Sequence, residues 1–163
     1  MTAVFEKFKP LLIPLEGDKL TDIPGDAGGL TRYGISQIRH PEIDVANLTL
    51  DKAYEWYKSN YWDKYRLSQI DSQDIANKLM SFLINEDPNT AIVCLQRAIN
   101  HCGGEVSEDG KLGLATLTYA NTLPARWVLD RFRIEGALFY LKLVKVKPDQ
   151  LKFLRGWCNR ALG

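Results

Sequence analysis

Glu16 closes an apolar segment, and ten residues later begins the run Asp26-Ala27-Gly28-Gly29-Leu30-Thr31-Arg32-Tyr33-Gly34-Ile35. One carboxylate is thus followed, across a glycine-rich turn, by a second carboxylate and a hydroxyl. Cleavage of a glycosidic bond needs such a set. A protonated acid gives its proton to the leaving oxygen, and a polar partner handles water on the other face of the ring. An anion near a helix C-terminus is disfavoured by the dipole, and Ile13, Leu15 and Leu20 crowd the same stretch. Both effects favour a carboxyl that keeps the proton a general acid must donate. The plain alternative is a solvated glutamate at a helix end. Asp22 competes with Asp26 as second carboxylate, and spacing leaves the two open.

The elements that must hold these groups read as follows. Phe5, Phe8, Leu11, Leu12 and Leu15 recur at helical spacing, so residues 3–16 are expected to be helical. Pro10 and Pro14 predict a kink or interruption, and Gly17 a stop. Residues 18–35 are rich in Gly, Pro and Asp, which is turn or hairpin chemistry. Helices are expected from Leu50 to Tyr65, and from a cap at Asp71 or Ser72 onward. Another follows Asp87-Pro88 and ends at Gly103-Gly104. A short one spans Leu114 to Ala120. Pro124 opens the longest, and Pro148 the last. The fold class is mainly α, with a short irregular or β segment after the first helix. Tyr61 and Trp62 could stack on sugar rings, although the crowding of Trp56, Tyr57 and Trp62 on one helix suits core packing better. Glu135, in the longest helix, is a rival carboxylate best read as a surface or ion-paired group.

The run from Glu16-Gly17 through Asp26 to Ile35 resembles the Glu-Gly-Gly … Asp-Pro-Gly-Gly-x-Thr-x-x-Gly-Ile signature of glycoside hydrolase family 108 N-acetylmuramidases. The likeness continues in order. Ala53-Tyr54-Glu55-Trp56-Tyr57 with Tyr61-Trp62-Asp63 looks like a segment of that family. Leu95 to Asn100 with Asp109-Gly110-Lys111-Leu112-Gly113 is similar to its peptidoglycan-binding-like second half. Phe153 to Arg160 resembles its usual ending.

The resemblance implies a lysozyme-like α fold and hydrolysis of the β-1,4 bond between N-acetylmuramic acid and N-acetylglucosamine. It maps the catalytic acid onto Glu16, and the aspartate and threonine of the signature onto Asp26 and Thr31. Tyr33, Tyr61, Trp62 and Asn85 are the expected substrate contacts. A catalytic lobe over 1–86 and a peptidoglycan-binding-like lobe over 87–163 are expected, as one compact unit. No metal or cofactor is expected. The chain departs from the pattern at Asp18, Ala27, Ser81 and Glu86-Asp87-Pro88. A lytic transglycosylase needs only the glutamate, so the Asp26/Thr31 pair favours a hydrolase. A non-catalytic peptidoglycan-binding module would not need Glu16.

With 163 residues, 45% hydrophobic and 25% charged, the chain suits a globular protein with a real core. It has no apolar run of membrane-spanning length, so no membrane insertion is expected. Residues 1–9 alternate charge with Phe and lack the apolar core of a signal peptide. The expected setting is a bacterial cytoplasm, phage-infected or not, with action at the cell wall or periplasm. Cys94, Cys102 and Cys158 are too few for a disulfide framework and are expected to be free and buried. Residues 124–163 hold nine Lys/Arg against three acids, a net +6; residues 1–123 hold twelve against seventeen, a net −5. A basic end suits an anionic polymer such as the wall. Its aromatics do not interleave with the basic run, so no nucleic-acid partner is expected. Peptidoglycan glycan strands are the expected partner of a monomer.

Overall fold

The computed structural model describes residues 2–22 and 29–163. Among these, seven α-helices accompany one two-stranded sheet, so the fold is mainly α with a small β segment after the first helix. The chain divides into two compact units, Val4–Lys64 and Tyr65–Gly163, the latter joined by the extreme N-terminus. There the Ala3 N–H donates to the Ile70 carbonyl at 2.8 Å. No described helix is long and apolar enough to cross a membrane.

In the unit Val4–Lys64, the expected interruption falls at Phe8. A 3-10 turn, Phe5–Lys7, precedes helix α1, Lys9–Glu16. Pro10 sits in the first turn, where a missing N–H costs nothing, and Pro14 lies inside. Gly17, at φ 78°, ends α1 by donating its N–H to the Ile13 carbonyl at 2.8 Å. The chain then forms an antiparallel bridge between Thr21 and Thr31. Strands β1, Thr31–Arg32, and β2, Ile35–Ser36, pair antiparallel, with Arg32 opposite Ile35. Their link is the two residues Tyr33 and Gly34, both left-handed at φ 51° and 76°. Two positive φ values in a two-residue loop match the turn type that follows strand twist.

Helix α2, Leu50–Tyr57, is capped by Thr49, whose hydroxyl accepts from the Lys52 N–H at 3.4 Å. The chain does not stay α-helical to Tyr65 as expected. It widens into a π-helix over Lys58–Asp63. This turn carries Trp62 into the core, where Phe5 meets it edge-on at 5.7 Å and Phe8 lies 6.4 Å away.

The unit Tyr65–Gly163 is built from α3 (Gln73–Asn85), α4 (Pro88–His101), α5 (Leu114–Thr122), α6 (Ala125–Val146) and α7 (Leu154–Leu162). Ser72 caps α3, and Asp87 caps α4 just ahead of Pro88. A 3-10 turn, Pro148–Phe153, leads into α7. Helix α6 packs on α4 and α7, and α3 also meets α6. Phe82 of α3 reaches α6 through Gly136: a β-carbon there would run into the ring. Phe132 and Tyr140 flank Phe82 at 5.4 and 5.9 Å, and Trp157 stacks on Tyr140 at 5.2 Å.

The three cysteines are free. Cys94 is buried, which pushes its thiol up to about 11. Cys102 and Cys158 are only half-buried, short of the full burial expected. Cys102 is the C-terminal cap of α4, and α7 fully buries only Ala161.

Candidate active site

Three elements meet at the tip of the hairpin. Glu16, half-buried, is the last residue of α1. Its side chain lies over Gly34. A β-carbon on Gly34 would stand 2.6 Å from Glu16 Oε2 and 3.0 Å from Glu16 Cβ. The same point is 2.6 Å from the Tyr57 hydroxyl oxygen. Tyr57, at the end of α2, is 1% exposed and donates its hydroxyl hydrogen to the Tyr33 carbonyl at 2.8 Å. A buried phenol needs such a partner. α1, the hairpin and α2 therefore converge on the Glu16 carboxyl.

Thr31 opens β1, three residues ahead of Gly34. Its backbone pairs with Thr21 on one side and Ser36 on the other. Its hydroxyl donates to the Gly29 carbonyl at 3.0 Å. That fixes the rotor and leaves the oxygen's lone pairs to accept from a water. Asp26 lies outside the described residues. Asp22 is exposed.

Of the expected substrate contacts, Tyr33 is buried and reaches the site through its backbone. The Arg32 guanidinium sits 5.2 Å from its ring centre. Tyr61 is half-buried and stacks on Tyr57 at 5.9 Å, which ties it to the same cluster. Trp62 is different. It is 2% exposed and enclosed by Phe5 and Phe8, so its indole has no face open to a sugar. The stacking role expected of Trp62 is corrected on this ground: the π-helix turns it inward.

Asn85 belongs to the other compact unit, at the C-terminus of α3, and is exposed. Its amide donates to Glu86 Oε1 at 2.8 Å and to the Tyr140 hydroxyl at 3.0 Å. Burial pushes both the Glu86 carboxyl and the Tyr140 phenol up. Ser81, nearby on α3, is buried with no hydrogen-bond partner for its hydroxyl among the described residues. Glu135 is buried and ion-paired with Arg131, whose Nε donates at 2.9 Å. This is a structural pair inside α6, as the ion-paired reading of Glu135 expects.

A separate open hollow of about 280 Å³ in the unit Val4–Lys64 is lined by Phe5, Glu6, Lys9, Asp51, Tyr54, Glu55 and Lys58. None of the expected site residues lines it. Lys9 binds Glu6 there at 2.8 Å, and this contact raises its ammonium above the ordinary range.

In the sequence, Tyr57 reads only as part of an aromatic helix. The signal that points to it is spatial: its hydroxyl bonds a carbonyl 24 residues away.

Residues 11–86 match the family model described as Glycosyl hydrolase 108. Residues 90–162 match that described as Predicted Peptidoglycan domain. No curated protein matches the chain at a significant level. Among solved structures, Brucella abortus SagA is similar, with a TM-score of 0.69 and 24% identity. The similarity spans 97% of this chain and 93% of that one. At this identity the likeness speaks for the fold, which is mainly α and lysozyme-like.

Proposed function

We propose, because residues 11–86 match the glycosyl hydrolase 108 model and residues 90–162 the peptidoglycan domain model, that the chain is a glycoside hydrolase acting on peptidoglycan, and specifically an N-acetylmuramidase. The bond cut is the β-1,4 linkage between N-acetylmuramic acid and N-acetylglucosamine. Glu16 protonates the leaving glycosidic oxygen. Asp26, with Thr31, orients a water on the opposite face of the ring. A single displacement with inversion follows if the two carboxyls stand about 6.5–9.5 Å apart, the spacing that admits a water. The half-buried Tyr61, stacked on Tyr57, offers an aromatic surface to the glycan.

One observation supports this most: the Glu16 carboxyl rests on Gly34 at the tip of the hairpin, in the part of the chain that matches the glycosyl hydrolase 108 model. Residues 1–86 supply the chemistry in this reading, and residues 87–163 hold the glycan strand. The protein works as a monomer on the wall of the bacterium that makes it, in the manner of a lysis enzyme.

The test is mass spectrometry of fragments released from purified peptidoglycan. Water attack yields reducing-end muramic acid sugars. Attack by the muramic 6-hydroxyl yields 1,6-anhydro sugars instead. Predominantly anhydro products would make the protein a lytic transglycosylase, with Glu16 kept as acid and Asp26 released from its role.

A further inference from the structure

We propose that Tyr57 and Gly34 are positioning residues that together form the seat of the Glu16 carboxyl. The inference rests on the reading of Glu16 as the acid.

Three observations converge. First, Tyr33 is a bulky residue held at φ 51°, in the left-handed region that such residues rarely enter. Strain of this kind persists only where the surroundings impose it, and it gathers at functional sites. Second, Tyr57 ties that residue to α2. Its hydroxyl donates to the Tyr33 carbonyl at 2.8 Å from a fully buried ring. α2 thereby clamps the tip of the hairpin. Third, the next residue in that tip is Gly34, and the space a β-carbon would fill is taken. Glu16 Oε2 and the Tyr57 hydroxyl oxygen each lie 2.6 Å from that point, so they are no more than twice that distance apart. Gly34 also sits at φ 76°, where any side chain is strained.

Together these make one device. The clamp fixes the hairpin tip, and the lack of a side chain at Gly34 admits the glutamate. The phenol closes one side of the seat. Catalysis by proton transfer needs the acid held near its productive geometry, and a displacement of about 1 Å can cost on the order of a hundredfold in rate. Without the clamp, the turn beneath the carboxyl loses the bond that ties it to α2.

Tyr57→Phe keeps the ring and removes only the hydroxyl. Its kcat on soluble muropeptide oligomers should fall roughly tenfold, the worth of one hydrogen bond, with KM within about twofold. The alkaline limb of its pH–rate profile, which reports the proton on the acid, should move. Gly34→Ala should displace the carboxyl itself, with a kcat loss of roughly a hundredfold in protein that still shows helical circular dichroism. Should Gly34→Ala fail to fold, Tyr57→Phe decides alone. Wild-type kcat and pH profile in Tyr57→Phe would overturn the proposal. So would a lower kcat with an unmoved alkaline limb, because that is the mark of a structural role only. Glu16→Gln, run in parallel, separates the two levels. If it stays active, the reading of Glu16 falls; if it is inactive while Tyr57→Phe is unchanged, only the seat falls.

Discussion

A carboxyl acts as an acid only where its proton can be aimed, and Glu16 is held by three different elements at one point. α1 ends on it, the hairpin tip lies beneath it, and Tyr57 stands beside it. Glu16→Gln preserves the size and shape of the side chain but cannot donate the proton. Its lysis of a wall suspension should fall by about 10²–10⁴-fold, the usual contribution of general-acid catalysis. Its thermal midpoint should stay within a few degrees of wild type. Turnover near the wild-type rate would remove Glu16 from the mechanism. The aromatic pair that follows α2 shows how much one backbone irregularity decides. Tyr61 and Trp62 are adjacent in sequence, yet one is half-exposed and the other sealed in the core. The π-helix over Lys58–Asp63 sets that difference, and it depends on packing by Phe5 and Phe8, far away in sequence.

At the scale of elements, local chemistry was readable and long-range chemistry was not. Ser72 and Asp87-Pro88 cap helices where their side chains predict, since a cap needs only its own next three residues. Gly17 stops α1 for the same local reason. The seat of Glu16 is joined by partners 18 and 24 residues apart, which no periodicity encodes. Lys78 is another such case. It lies on the apolar side of α3, 7% exposed, and its ammonium donates to the Arg160 carbonyl in α7 at 2.8 Å. Burial, then Arg133 and Arg160, lower its pKa to about 8 from 10.5. Between these two values the unfolded chain binds a proton that the folded chain has released, so stability rises with pH across that window. Below about pH 8 both states carry the charge, and the full cost of burying it is present. Lys78→Met has no such titration. From pH 7 to pH 10, wild type should gain about 1 kcal/mol relative to Lys78→Met, solvent screening allowed for. Urea unfolding of both proteins at the two pH values measures this. Parallel pH dependence would mean that Lys78 keeps its ordinary affinity for the proton.

At the scale of the whole molecule, charge divides along the chain far more than its net +1 suggests. Residues 124–163 carry +6, and they fall in the region matching the peptidoglycan domain. Two of the three acids already subtracted in that sum have their partners inside the same region. Arg131 pairs with Glu135, and Arg133 pairs with Asp130. Lys142, Lys145 and Lys147 are exposed near the C-terminal end of α6. Successive helical positions turn about 100°, so these lysines spread around the axis and cannot form one docking contact. Their action on an anionic wall is that of a diffuse field. Such a field is screened: the Debye length is about 10 Å at 0.1 M salt and about 3 Å at 1 M. Co-sedimentation with purified walls should therefore weaken steadily as salt rises over that range. Reversing Lys142, Lys145 and Lys147 to Glu should weaken it further at low salt, in proportion to the number reversed. Hydrolysis of short soluble oligomers should hardly change, because these lysines lie on or just past α6 and the Glu16 seat is built from α1, α2 and the hairpin. Wall binding indifferent to both salt and charge reversal would show that the basic end is only a solvated surface. Affinity would then have to come from contacts with the glycan itself, beginning with Tyr61.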